Sequence, residues 1–261
     1  MGNKALKEYM EVKGYADAAR WVYGQALEPG AWTDGQLLTM TEVREVHRMA
    51  LAPVWAVAPP PNATERETPG SFREHDIQPF PGGMVPPSRV DVPAALSTWL
   101  DELTDVVRQA RPMEPLASAH GAFERIHPFV DGNGRTGRLL LNVMLVRLGY
   151  APAIIYTRDR DRYLRALHST DAGEPGPLAE LLARAVLDNL YRFIVPAVAG
   201  PSRLVPLASL ERDDLSEGAL RTAANRGRLR AQKGDDGHWR STKAWVDEYL
   251  TARHERRPLS V

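Results

Sequence analysis

Between His127 and Arg138 the chain places an imidazole, a carboxylate, a Gly-Asn-Gly turn and two arginines within twelve residues. A histidine, with an ordinary pKa near 6.5, suits general-base work around neutral pH. Gly132, Asn133 and Gly134 have little bulk and can turn their backbone N–H groups inward. A long apolar helix then starts near Arg135 and runs through Leu139-Leu140-Leu141-Asn142-Val143-Met144-Leu145-Val146. A glycine turn feeding a helix N-terminus attracts phosphate, because unpaired N–H groups and the helix dipole both favour negative charge. Arg135 and Arg138 stand three apart and share a helix face over that pocket. Asp131 precedes the turn, beside the phosphate site, where Mg²⁺ can bridge carboxylate and phosphate. Taken singly, a His before a Pro is usually structural and Gly-Asn-Gly is usually just a turn. Order and spacing together point to chemistry on a phosphate.

The elements that must position these residues read as mainly helical. Residues 4 to 28 predict one or two helices with a break at Gly14, and Trp21, Val22 and Ala26 form an apolar stripe. Pro29, Gly30 and Asp34-Gly35 mark loops. From about Leu37 to Leu51 the pattern is helical again, with Thr41 as N-cap and Val43, Val46 and Met49 on one face. Residues 52 to 92 are rich in Pro and Gly and irregular. Two helices follow over 93 to 126; the second, from Leu116 to Ile126, delivers His127. His120, seven residues earlier, reads as a packed histidine, since a metal pair needs a further ligand. Gly149 and Pro152 end the long apolar helix. Alternating charges from Thr157 to Leu167 suit a solvated helix face. A dense apolar helix from Leu178 to Val198 reads as core.

The twelve-residue stretch resembles the Fic family signature, His-x-Phe-x-Asp/Glu-Gly-Asn-Gly-Arg-x-x-Arg, at every defined position. The resemblance implies a Fic-fold helical bundle and transfer of AMP from ATP to a Ser, Thr or Tyr hydroxyl of a target protein. It makes His127 the base, Phe129 a core anchor and Asp131 the Mg²⁺ ligand. Gly132, Asn133 and Gly134 become the anion hole, and the phosphate-binding stretch continues through Arg135, Thr136, Gly137 and Arg138. Tyr163 matches a family Tyr near adenine and ribose, and Asp171 a nucleotide-contacting polar position. The Pro-Gly-x-x-Arg element at Pro69 to Arg73 and the Pro-Pro element at Pro86-Pro87 resemble the family flap, a small β-hairpin over about 69 to 87. It implies that Ile77, Gln78, Met84 and Val85 hold the target's backbone as an added strand. Transfer of UMP or GMP, or removal of AMP, are the alternatives within the family.

Many relatives carry an inhibitory Ser/Thr-x-x-x-Glu-Gly/Asn helix. The counterpart here is Ala19-Arg20-Trp21-Val22-Tyr23-Gly24, where Ala19 stands for Ser and Tyr23 for Glu, with Gly24 kept. Tyr cannot make the carboxylate–guanidinium fork of that lock. A separate antitoxin-like partner supplying the Glu is one expectation.

Residues 1 to 36 are thus assigned to N-terminal helices, 37 to 200 to the Fic-like domain and 203 to 258 to a second module. There, helix, helix, hairpin and helix, with Arg-Gly-x-Leu before the hairpin, resemble an excisionase- or MerR-like winged helix–turn–helix. Arg226, Arg228, Arg230 and Lys233 are its candidate DNA contacts. The second reading of the whole chain is a DNA-binding regulator whose pocket senses a nucleotide.

Composition bounds the rest. The 261 residues carry a formal net charge of zero, so no global field points to nucleic acid or membrane. There is no cysteine, hence no disulfide framework and no thiolate metal site. Without a long apolar run or a signal-like N-terminus, a cytoplasmic protein is expected. Nothing in the sequence sets an oligomeric state.

Overall fold

The computed structural model describes residues 3–78, 84–234 and 236–255. It is mainly helical and divides into two compact units, 1–185 and 186–261. The division falls inside a helix, so residues 186 to 200 group with the C-terminal unit and not with the unit preceding them. The N-terminal helix belongs to the first unit.

In the first unit, α1 (Asn3–Leu27), α2 (Met40–Trp55) and α5 (Asn133–Arg147) pack together. α3 (Val92–Val107) and α6 (Arg160–Asp171) each pack on α4 (Met113–Ile126), which in turn contacts α5. α7 (Gly176–Asn189) follows. Leu139, Leu140, Leu141, Val143, Met144 and Leu145 are all buried, so α5 is apolar nearly all round because helices surround it.

Two local expectations are corrected. α1 does not break at Gly14; a Cβ there would lie 2.3 Å from the Ala50 carbonyl oxygen. The glycine lets α2 cross closely. The N-cap of α2 is Thr39, not Thr41, and Thr39 and Glu42 form a capping box. Glu42 also takes Arg147, whose Nη2 lies 2.5 Å from Oε1. Both side chains are buried, and this ion pair ties the start of α2 to the end of α5.

The Leu178–Val198 helix is interrupted: a π-helical turn at Leu190–Ile194 separates α7 from α8 (Val195–Ala199). Its apolar residues are only partly core, since Leu187, Phe193 and Val198 are exposed. The C-terminal unit continues with β1 (Val205–Pro206), a 3₁₀ turn at Leu207–Leu210 and α9 (Glu217–Asn225). The first of the two helices expected here is therefore a single 3₁₀ turn. β2 (Gln232–Lys233), β3 (Trp239–Ser241) and α10 (Lys243–Glu255) complete it. The sheet is antiparallel in the order β1-β3-β2. Its core is Val205, Leu207, Leu210, Leu215, Leu220, Leu229 and Val246. The 234–237 turn closes with Gly237 N–H donating to the Gly234 carbonyl, and the Thr242 hydroxyl accepts from Trp245 N–H at 3.1 Å.

Candidate active site

α4 ends because His127 enters the left-handed region, φ 48°, ψ 59°. The four residues 128–131 then lead to Gly132, φ 80°, the N-cap of α5. Gly132 is needed twice over: an L side chain rarely adopts that φ, and a Cβ would lie 2.6 Å from Leu51 Cδ2. No side chain caps α5, so its first-turn N–H groups remain available to an anion.

The loop between the helices is held through its backbone. Asn133 accepts from Phe129 N–H through Oδ1 and donates to the Phe129 carbonyl through Nδ2, at 2.9 and 2.8 Å. Phe129 is fully buried and stacks on His47, ring centroids 3.7 Å apart. His47 Nδ1 accepts from Gly70 N–H at 2.8 Å, so its proton is on Nε2, which donates to the Asp131 carbonyl at 3.0 Å. Burial drives His47 down to about 4, which keeps it neutral. Arg73 is buried and donates from Nε to the His127 carbonyl at 2.9 Å. Its other nitrogens donate to the carbonyls of His75 and Pro87, and its backbone N–H donates to the Pro128 carbonyl. One residue thus fastens both arms of the 69–87 stretch to the loop.

Among the described residues of that stretch, 69–78 and 84–87, there is no strand. Ile77 is half-buried, Gln78 and Val85 are exposed, and Met84 is turned into the interior. The Pro79, Phe80, Gly82 and Gly83 part of the expected flap lies outside the described residues.

His127 is half-buried, and burial lowers its pKa below the usual 6.5, with Arg73 acting in the same direction. At neutral pH it is therefore unprotonated and able to accept a proton. Nδ1 lies 3.2 Å from the Glu124 carbonyl; a proton donated there makes Nε2 the basic nitrogen. Asp131 is exposed at the lip. Its Oδ1 accepts from Gly132 N–H at 2.6 Å, and its Oδ2 lies 3.2 Å from Arg135. Arg135 also meets Glu11 of α1 at 3.7 Å. Thr136 and Gly137 are buried behind the turn.

Arg138 lies over the first turn of α5. A methyl group at Gly134 would sit 3.3 Å from Arg138 Nη1 and 3.9 Å from Glu124 Oε2. Tyr163 is buried; its hydroxyl is 2.8 Å from His120 Nε2, and the Arg138 charge acts on it. Burial raises its phenol well above 10, so it stays neutral. The buried environment pushes His120 to about 3, also neutral, as a packed histidine should be. Asp171 is taken by Arg125, whose Nε and Nη2 donate to its carboxylate and its carbonyl. That joins α6 to α4. Tyr23 on α1 is half-buried, with Gly24 exposed and Ala19 half-buried.

Sequence reasoning missed four residues that build this site: His47, Glu67, Arg73 in its clamping role, and Glu124. Glu67 is buried and accepts from the N–H groups of Thr64 and Glu74 at 2.8 and 2.6 Å, organising the loop that leads to Arg73.

These features define a helical protein with a candidate anion site between a histidine-ended helix and an arginine-bearing helix N-terminus. The Fic/DOC family model matches residues 37–145. The chain carries a Fic/DOC-family domain over those residues. Protein adenylyltransferase Fic of Aedes aegypti is 30% identical over 80% of this chain and 38% of its own length. Its counterpart in Drosophila willistoni is 29% identical over 80% of this chain and 39% of its own. The chain thus spans about two fifths of these curated relatives. A Fic-domain-containing signalling protein from Bacteroides thetaiotaomicron is similar in structure, with TM-score 0.55 and 25% identity, covering 70% of this chain and 71% of that one. Fic-1 from C. elegans gives TM-score 0.58 and 27% identity over 74% of this chain and 53% of its own. Among the described residues, no helix is long and apolar enough to cross a membrane.

Proposed function

We propose that this chain transfers AMP from ATP to a Ser, Thr or Tyr hydroxyl of a target protein. The observation that carries the reading is His127 set beside an uncapped, arginine-bearing helix N-terminus. His127 Nε2 removes the hydroxyl proton. The oxygen attacks the α-phosphorus, the bond to the β-phosphate bridging oxygen breaks, and pyrophosphate leaves. The first-turn N–H groups of α5, with Arg135 and Arg138, hold the charge that develops, so catalysis is mostly positioning and electrostatics. The curated relatives named protein adenylyltransferase support this reading.

Mg²⁺ fits the residues present. Asp131 offers an exposed carboxylate, and no cluster of three acidic, His or Cys side chains exists among the described residues. One carboxylate with phosphate and water oxygens is an ordinary Mg²⁺ set. When bound, the ion would neutralise phosphate charge. The 69–87 stretch, with Ile77, Gln78 and Val85 at its surface, is the proposed target contact.

The test is label transfer from α-labelled ATP to protein targets. His127→Ala should lower transfer roughly 10²–10⁴-fold while ATP still binds. Equal labelling by both forms overturns the assignment.

For residues 203–258 a specific observation favours DNA contact. Between Gly218 and Lys233 there are five cations, Arg221, Arg226, Arg228, Arg230 and Lys233, with no acidic residue, and all five are exposed. Arg230 stacks over Trp245, its Cζ 4.1 Å from the ring centroid, which orients it beside the β2–β3 wing. This fits a module that grips phosphates through α9, the segment after it, and the wing.

A further inference from the structure

Glu124 is a buried carboxyl that the proposed transfer does not use. It projects from α4 against the glycine-lined first turn of α5. A Cβ at Gly137 would lie 2.3 Å from its Oε1, and one at Gly134 would lie 3.9 Å from its Oε2. The bare Gly137 makes room for this side chain, which also comes within contact distance of a Cβ at Gly134. Oε1 is buried and has no hydrogen-bond partner.

Its charged and titratable neighbours come from four helices. On α4, His120 Nε2 is 3.9 Å away and neutral. From α5 comes Arg138, a permanent cation whose Nη1 approaches the same bare face of Gly134. From α6 comes Tyr163, a neutral phenol that hydrogen-bonds His120 and feels the Arg138 charge. From α1, Tyr15 reaches the cluster through Tyr163. Arg138 is thus the one permanent charge of the group, and Glu124 the one member able to change charge near neutrality. Burial raises Glu124 to about 7 against the pull of Arg138.

We propose that Glu124 is a positioning residue for phosphate bound at Arg138, and that it takes up one proton when a nucleotide polyphosphate binds. Without ligand, the carboxylate offsets part of the Arg138 charge. A phosphate on the other side of Arg138 and of the Gly134 turn competes for that charge and repels the carboxylate. Taking up a solvent proton removes the repulsion and leaves the full guanidinium charge to the ligand. Proton and phosphate therefore bind together. The sign follows: affinity is highest below pH 7 and weakens as pH rises through and above it, approaching tenfold per pH unit while uptake is complete. This inference rests on the nucleotide-binding reading above.

The experiment is calorimetry of the full chain with ATP and Mg²⁺ at pH 8, in buffers of differing ionisation enthalpy. At pH 8 the phosphates of ATP are already ionised and His127 is neutral, so uptake reports the protein. The expected result is an apparent binding enthalpy that varies with buffer, corresponding to uptake approaching one proton. Glu124→Gln should flatten that slope and remove the pH dependence of affinity. Wild type that binds ATP with no uptake overturns this inference alone, whether or not the variant folds. Equal slopes in wild type and Glu124→Gln also overturn it. Wild type that binds no ATP overturns the nucleotide reading and this one with it.

Discussion

A buried carboxyl that titrates near 7 leaves a signature in stability, independent of any ligand. Glu124→Gln replaces it with a group of nearly the same shape that cannot ionise. In the unfolded chain Glu124 titrates near 4.5, and in the fold near 7. Below 4.5 the carboxyl is protonated in both states, and wild type and variant should be close in stability. Between these values the unfolded form ionises first, so unfolding releases a proton and wild type loses stability as pH rises. Above 7 the loss is complete. At about 1.4 kcal/mol per pH unit, the full gap corresponds to about 3 kcal/mol. Glu124→Gln should therefore be more stable than wild type by up to about 3 kcal/mol at pH 8, with the difference vanishing near pH 4. Urea unfolding at pH 4, 6 and 8 measures this directly. A variant destabilised at pH 8 would refute the reasoning, because it would mean that the ionised carboxylate is held by stabilising bonds, as an ordinary structural ion pair would be.

Three further outcomes follow. Arg147→Met leaves Glu42 buried without its cation and should cost about 3–5 kcal/mol in urea unfolding, far more than an exposed pair such as Lys4–Glu8. His47→Ala removes the bridge between Gly70 N–H and the Asp131 carbonyl; label transfer should fall while helix content by circular dichroism holds, and unchanged transfer would separate the loop from the chemistry. Fluorescence anisotropy of the full chain with duplex DNA should show binding that weakens steeply with salt, and Arg226→Ala with Arg228→Ala should reduce that salt slope by about two.

The parts legible in the sequence were those whose chemistry is local. The 127–138 stretch declares itself because glycines, a base and arginines sit at fixed short spacing, and the helices on either side follow from apolar periodicity. What escaped was set by long-range packing. Gly14 reads as a break until α2 is known to cross it. The 69–87 stretch reads as a hairpin, and among its described residues the arms are tied by Arg73, with Asp76 reaching Ser88 and Arg89 just beyond. Glu124 looks like a surface residue beside Arg125, yet it falls on the Leu116–His120 stripe, four residues apart at each step, and that periodicity would have turned it inward. Thr39-x-x-Glu42 is itself a capping-box pattern, which the sequence carries beside Thr41.

The loop that carries the chemistry is held almost wholly by residues outside it, and through its backbone. The carbonyls of His127 and Pro128 go to Arg73, both polar groups of Phe129 go to Asn133, and the carbonyl of Asp131 goes to His47. This arrangement explains how His127 can occupy a left-handed conformation that costs a non-glycine residue about 1–2 kcal/mol. Each of these bonds contributes about 1 kcal/mol net, and several converge on five residues. The backbone takes most of the restraint, while His127 Nδ1 lies 3.2 Å from the Glu124 carbonyl and both Asp131 oxygens have partners, Gly132 N–H and Arg135. Asp131 stays exposed at the lip. The clamps are therefore the residues whose loss should disturb geometry first, with the chemistry failing as a consequence.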